Sequence, residues 1–289
     1  MRKPLVTVVV PVYNHELFVQ QQIESIVQQT YGYDYIQLIV FDDYSTDNSK
    51  VVLEDLANQY QYAFIANAQN KGLCYNLNRA LEMALGDYVC FTGSDDVWTL
   101  DKLEKQVAYM EKNKRAGACS GNVIQIDAQG KALHQAKQGF APARVYSFKD
   151  VFLRDFPFST TCSMIRKEVL DEVGGYDETL KVEDYYMWLK IAFAGFELHL
   201  MEDVLGYYRI HGNNTISKAM LIFTEVQKIL QQYNTHPLYP AALKKLKTVY
   251  FPQIAKVDKK KAWELFPAAI SNTRFFYRGV YHLLNLSKS

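Results

Sequence analysis

Along the first hundred positions, short β-rich apolar runs alternate with longer amphipathic stretches. Residues 5–10 (LVTVVV) form a continuous apolar run, the pattern of a strand buried on both faces. Residues 17–29 place Phe18, Ile23, Ile26 and Val27 on one helical face. Residues 36–41 (IQLIVF) predict a second strand. Ser45 and Asp47 are both able to cap a helix that runs to about Tyr60, with Val51, Val52, Leu53 and Leu56 on its core side. A third strand is expected over 62–66, a helix over 73–85 that stops at Gly86, and a fourth strand over 87–91. Strands separated by helices predict parallel βαβ units, and open sheets of that kind bind ligands beyond the carboxyl ends of their strands.

The polar clusters fall at those ends. Residues 11–15 follow the first strand, 42–48 the second, 67–72 the third and 92–98 the fourth. Further on, a helix is expected over 100–112, an ordered run over 116–126 with a turn at 127–130, and a loop in 134–144. A helix near 148–155 and a strand near 160–165 follow, then a short helix over 167–172 stopped by Gly174-Gly175. Residues 182–194 are helical in pattern and 199–208 extended. From about residue 217 the pattern is helical, with breaks expected near Pro237, Pro252 and Pro267. The division this implies is a catalytic α/β domain over 1–216 and a helical region over 217–289.

Composition changes this picture in two places. The chain has 289 residues and a net charge of +1, but residues 218–289 hold twelve Lys/Arg against three Asp/Glu. The tail is therefore basic at +9 and the remainder acidic at −8, so the two halves suit different partners. Phe251, Trp263, Phe266, Phe275, Phe276, Tyr277 and Tyr281 interleave with the lysines. The tail then reads either as a surface that docks on an anionic membrane or as a helical cap that packs on the catalytic domain and shows its lysines to water. A nucleic-acid partner is not expected, because the remainder is acidic and no nucleic-acid module is present. The four cysteines are scattered without a CxxC pair and read as reduced core residues. Only six apolar or near-apolar residues precede Pro11, and no run approaches the ~20 residues that span a bilayer, so a cytoplasmic protein, soluble or peripheral on a membrane, is expected.

The acids cluster in FDDYSTD (Asp42, Asp43, Asp47), GSDD (Asp95, Asp96) and KVEDYY (Glu183, Asp184). Adjacent carboxylates at a strand end repel unless a cation or donors neutralise them. A hard ion, Mn²⁺ or Mg²⁺, accepts one or two carboxylates and completes its shell from substrate phosphates. Asp95 could instead cap the next helix, and Asp42 and Asp43 admit the same two readings. Tyr13 offers a ring for a nucleobase. No P-loop, GxGxxG, GxSxG or HExxH pattern is present. His211 lies in a polar loop beside Arg209, whereas His15 and the other histidines lack an acid or cysteine at ligand spacing.

Five segments in consistent order from about Leu5 to His211 resemble glycosyltransferase family 2: VTVVVPVYN, VFDDYSTDNS, NAQNKGLCYNLNRAL, GDYVCFTGSDD and GGYDETLKVEDYYMWLKIAFAG. The resemblance implies the A-type glycosyltransferase fold, a Rossmann-like mixed sheet with helices on both faces, and an inverting transfer from a nucleotide-sugar to a glycan or lipid-linked acceptor, in bacterial surface-polysaccharide synthesis by family habit. It implies that Pro11, Tyr13, Asn14 and Asp42 line the base and ribose pocket, with Asp43 in support, and that Lys71 and Asn78 sit near ribose or diphosphate. Asp95 would touch ribose or sugar, Asp96 would bind the metal and His211 would reach metal or diphosphate. Asp184 would be the general base with Glu183 beside it, and Trp188 would wall the site. Many members carry an aspartate where this chain has Gly93. That leaves the cation dependent on Asp96 and the diphosphate. Two rivals remain at this level: a nucleotidyltransferase, which would want a Gly-rich basic loop where PVYNHE stands, and a non-catalytic sugar-nucleotide-binding protein.

Overall fold

The computed structural model describes residues 2–133, 140–211, 219–270 and 277–282. β1 (Val6–Val12), β2 (Ile36–Asp42), β3 (Ala63–Ala66) and β4 (Tyr88–Phe91) run parallel in the order β3-β2-β1-β4. α1 (Val19–Val27), α2 (Ser49–Tyr60) and α3 (Leu73–Met83) connect them. Val12 lies opposite Asp42 and Val9 opposite Phe91, so the loops that follow these strands leave one edge of the sheet.

Beyond β4 the sheet turns mixed. β8 (Met164–Arg166) is antiparallel to both β4 and β6 (Ala116–Ile126), while β9 (Glu197–Arg209) is parallel to β6. β5 (Val97–Trp98) and β7 (Arg144–Tyr146) both pair antiparallel with β9. α4 (Lys102–Lys112), α5 (Phe148–Phe152), α6 (Lys167–Val173) and α7 (Glu183–Phe193) complete this part of the chain.

The core forms where Val6, Val8, Val10 and Val12 of β1 meet Ile23 and Ile26 of α1 and Leu53 and Leu56 of α2. Each such side chain contributes roughly 1.5–3 kcal/mol when fully buried. Val51 departs from the expected core face of α2 and is exposed, because the helix turns its 49–53–56 stripe inward. All four cysteines are buried and free, as the sequence predicts.

The contacts divide the chain into two compact units, residues 1–148 with 156–212 and residues 149–155 with 213–289. The second unit is built on α8 (Ala219–Gln231), α9 (Tyr239–Ile254) and α10 (Lys259–Ala269). Neither Pro252 nor Pro267 breaks its helix, contrary to expectation. Each sits in a last turn, where little helix remains to disrupt. Phe223 packs on Tyr250, Phe251 on Phe266, and Phe152 on Tyr233 and His236 within that unit. No helix among the described residues is long and apolar enough to cross a membrane. The loop expected over 134–144 falls largely outside the described residues.

Candidate active site

The loops after β1 and β2 are laced together by hydrogen bonds. The Asn14 and His15 N–H groups donate to Ser45 Oγ and Ser49 Oγ, each at 2.9 Å. The Thr46 N–H donates to Asn14 Oδ1 at 2.7 Å, and the Glu16 N–H to Asp47 Oδ2 at 3.1 Å. Asn14, expected in the base-binding turn, thus braces the second loop with its side chain, from a left-handed backbone at φ +56°. Asp42, at the end of β2 opposite Val12, is only 1% exposed. Its Oδ2 accepts the Ser45 N–H at 3.2 Å, but its buried Oδ1 has no partner among the described residues. An unpaired buried carboxylate oxygen is costly and calls for a donor. Tyr13 and Tyr44 expose their rings at this edge, and Tyr44 holds a φ of +67°, an outlier for an aromatic residue. Sequence reading took Tyr13 and passed over Tyr44, whose backbone conformation has no signature in composition.

The Asp43 and Asn78 side chains are hydrogen-bonded within the protein. Asp43 Oδ1 accepts the Lys71 N–H at 2.8 Å and Asn67 Nδ2 at 2.9 Å, and Oδ2 accepts the Gly72 N–H at 2.9 Å. It fastens the third loop where Gly72, at φ +88°, opens α3. Asn78 Oδ1 accepts the Tyr176 N–H at 2.7 Å, and Nδ2 donates to the Tyr176 carbonyl at 3.0 Å and to Glu178 Oε1 at 3.1 Å. It fastens the loop before α7, and Gly175 leaves the room: a Cβ there would stand 2.5 Å from Asn78 Oδ1. Lys71 is exposed, with Nζ 5.5 Å from the centre of the Tyr75 ring.

The Asp95-Asp96 pair, in the turn before β5, divides between two sets of partners. Asp95 Oδ2 meets His211 Nε2 at 2.9 Å, and a ligand atom from each of His15, Asp95 and His211 lies within 4.8 Å of the others. Asp96 faces inward and is 3% exposed. Its Oδ1 accepts the Arg209 N–H at 3.0 Å, and its Oδ2 accepts the Thr161 hydroxyl. Burial, and then the charge of Asp95, push its carboxyl above the usual range. Asp96 therefore ties β9 to the back of the loop, and Asp95 is the acid that reaches the histidines. A Cβ on Gly93 would come within 2.7 Å of Asp95 Oδ1 and 3.1 Å of Asp96 Oδ2, so glycine here keeps the two carboxylates uncrowded.

Behind them lies a buried cation that sequence noted only as a neighbour of His211. Arg209 Nε donates to the Asp95 carbonyl at 2.7 Å, and its other nitrogens reach the Asp127 and Ala128 carbonyls and Gln21 Oε1. The guanidinium lies 5.0 Å from the centre of the Phe18 ring. Arg is suited to this because its rigid fork satisfies several carbonyls at once.

Glu183 and Asp184 occupy the first turn of α7, where the helix dipole favours negative charge. Burial, and then the charge of Asp184, push the Glu183 carboxyl up to about 8. The preceding loop is held to α3 by Asn78 and by Cys74, whose thiol donates to the Leu180 carbonyl at 3.4 Å. Trp188, on α7, is buried. It is 2% exposed, edge-on to Phe158, and its buried Nε1 has no partner among the described residues.

Residues 7–174 match the sequence model of Glycosyl transferase family 2. TuaG of Bacillus subtilis, named for teichuronic acid biosynthesis, is 27% identical over 235 residues, which cover 78% of this chain and 90% of TuaG. The structure of S. aureus TarS 1-349 in complex with UDP-GlcNAc matches at a TM-score of 0.70 and 16% identity, over 96% of this chain and 89% of that one. The mannosyltransferase PcManGT from Pyrobaculum calidifontis, in complex with GDP-Man and Mn²⁺, matches at a TM-score of 0.64 and 18% identity, over 100% of this chain and 89% of that one. These likenesses bear out the fold the sequence resemblance implied, a mixed α/β sheet surrounded by helices with further helices appended at the C-terminus.

Proposed function

The chain belongs to glycosyltransferase family 2, and from that premise we propose that it transfers a sugar, with inversion and with the help of a divalent cation, from a nucleoside-diphosphate sugar to a hydroxyl of a glycan or lipid-linked acceptor in the synthesis of a bacterial surface polysaccharide. The observation that carries this reading is the convergence, at one sheet edge, of the unpaired Asp42 Oδ1 and the Asp95–His211 pair. An unpaired buried acceptor suits the N–H of a nucleobase edge, with Tyr13 and Tyr44 as rings beside it. A carboxylate with an imidazole suits a divalent transition-metal ion such as Mn²⁺, so Asp95 and His211 would hold it. Bound there, the ion would neutralise charge on the leaving diphosphate. Asp184 takes the acceptor hydroxyl proton as general base, beside Glu183, whose carboxyl is raised by burial and by the charge of Asp184. Asp43 holds the third loop at the start of α3, and Asn78, from the middle of α3, holds the loop before α7. The donors named for TarS and PcManGT differ in both base and sugar, so the proposal stops at the nucleoside-diphosphate sugar class.

The test is a thermal-shift screen of nucleotide-sugars with Mn²⁺, followed by assay of released nucleotide. At a ligand concentration about 100-fold above Kd, one donor should add roughly 2.7 kcal/mol, a rise of about 5–10 °C. Nucleoside diphosphate should then appear on addition of acceptor. Binding without release would favour a non-catalytic protein, and pyrophosphate release from a nucleoside triphosphate and a sugar phosphate would favour a nucleotidyltransferase.

The second unit supports a membrane reading of its own. Trp263 is 59% exposed one turn after the exposed Lys259 and Lys260, with Lys256 and Val257 exposed just before α10. An indole beside lysines suits an anionic bilayer surface, where each lysine contributes about 1 kcal/mol. Co-sedimentation with phosphatidylglycerol vesicles is expected to fall about tenfold or more on joint Lys259→Glu and Lys260→Glu substitution. Binding equal to that of the parent chain would refute the reading.

A further inference from the structure

We propose that His15 joins Asp95 and His211 in a two-histidine, one-carboxylate set that holds a divalent transition-metal ion such as Mn²⁺ before any nucleotide arrives. The inference rests on the glycosyltransferase reading only for the ion's later partner, the diphosphate. Two ligands set at right angles on an ion, each ~2.1 Å away, stand about 3 Å apart. Asp95 Oδ2 and His211 Nε2 already stand 2.9 Å apart, and all three ligand atoms lie within 4.8 Å of one another. Small side-chain rotations close the remainder. The two imidazoles lie edge-to-face, with centroids 5.7 Å apart at 86°.

The surroundings of His15 are those of a ligand and not of an idle surface ring. Its Nδ1 lies 2.7 Å from Ser94 Oγ. In the tautomer whose Nδ1–H donates to Ser94 Oγ, Nε2 is the lone-pair nitrogen, in the way outer partners orient metal-bound histidines. Ser94 is buried and adjoins Asp95, so one short segment supplies both the carboxylate and the partner that aims the imidazole. The His15 backbone is pinned to Ser49 and the Asp95 carbonyl to Arg209, so both ligands stand on fixed backbone. Phe18 packs against both imidazoles, with centroids 6.1 Å from His15 and 5.2 Å from His211.

Three protein ligands change what the ion needs from the substrate. A Mg²⁺ site with one or two carboxylates depends on phosphate oxygens and water for its remaining positions. Two imidazoles and a carboxylate favour Mn²⁺, Co²⁺ or Zn²⁺ over Mg²⁺ and leave three positions for diphosphate oxygens and water. The ion would then be part of the empty enzyme, and its choice would be set by the histidines.

Mn²⁺ titration followed by electron paramagnetic resonance tests this on the full chain, with and without saturating UDP or GDP. The expected result is one Mn²⁺ bound without nucleotide, with two imidazole nitrogens coupled to it in pulsed spectra and little displacement by equimolar Mg²⁺. His15→Ala should then bind Mn²⁺ at least tenfold more weakly without nucleotide, show one coupled nitrogen, and recover most of its affinity when nucleotide is added. The nitrogen count in the parent chain does not depend on whether the variant folds. If Mn²⁺ binds only with nucleotide, or the parent shows a single nitrogen, the His15 assignment is overturned and the glycosyltransferase reading stands. If no Mn²⁺ binds under either condition, the metal-dependent reading falls with it.

Discussion

Asp184→Asn is expected to lower sugar transfer by about 10²–10⁴-fold while donor affinity, measured by calorimetry, stays within about twofold of the parent. The amide keeps the size of the carboxylate and can still accept the Tyr185 N–H that Asp184 Oδ1 accepts, so the start of α7 should be preserved. What it loses is the oxygen that takes a proton. The neighbour provides the control. Burial and the charge of Asp184 raise the Glu183 carboxyl, and Glu183→Gln copies its neutral form. It should cost less than about tenfold in kcat/KM, or ~1.4 kcal/mol. It should also change stability with a definite sign. A carboxyl raised in the folded state stabilises the fold at low pH, and that contribution is lost as pH rises from the ordinary carboxylate range through the raised value. Glu183→Gln should therefore flatten the decline in melting temperature over that window. Substantial transfer by Asp184→Asn, or an equal loss in Glu183→Gln, would move the base to Glu183.

The parallel half of the sheet was legible because its signals are local. Continuous apolar runs mark buried strands, and the 3.6-residue stripes of α1 and α2 fix their inward faces. The mixed half was not. β7 and β8 are three residues each, too short to carry a period, and the pairing of β9 with β6 is interrupted by register shifts. In the site, the loops were found because polar clusters after strands mark the ligand edge of an open sheet. Which atoms face that edge was hidden, since it depends on competition for partners far away in sequence. Asp43 meets Lys71 and Gly72, and His15 meets Ser94 and His211. None of these pairs has a spacing that reads as a motif. Asp95 and Asp96 are the sharpest case, because adjacent residues in the turn before β5 reach different partners and only the fold says which reaches which.

That split makes the second large prediction a comparison. Asp95→Ala should leave the melting temperature within ~3 °C of the parent, because its carboxylate is bound mainly to His211 at the site. It should abolish the Mn²⁺ dependence of donor binding and lower transfer by about 10³-fold, the ~4 kcal/mol scale of a lost metal contact. Asp96→Ala should do the reverse. It strips the acceptor from two buried donors, the Arg209 N–H and the Thr161 hydroxyl, at about 1–3 kcal/mol each. For a chain of this size that amounts to a fall of roughly 5–20 °C in melting temperature. Asp96→Asn, which resembles the protonated acid favoured by burial, should recover most of that stability. Differential scanning calorimetry with Mn²⁺ titration reads both effects on the same samples. A stable Asp96→Ala that has lost Mn²⁺, beside an Asp95→Ala that retains it, would return the metal to Asp96 and leave Asp95 for the ribose, as the motif alone suggests.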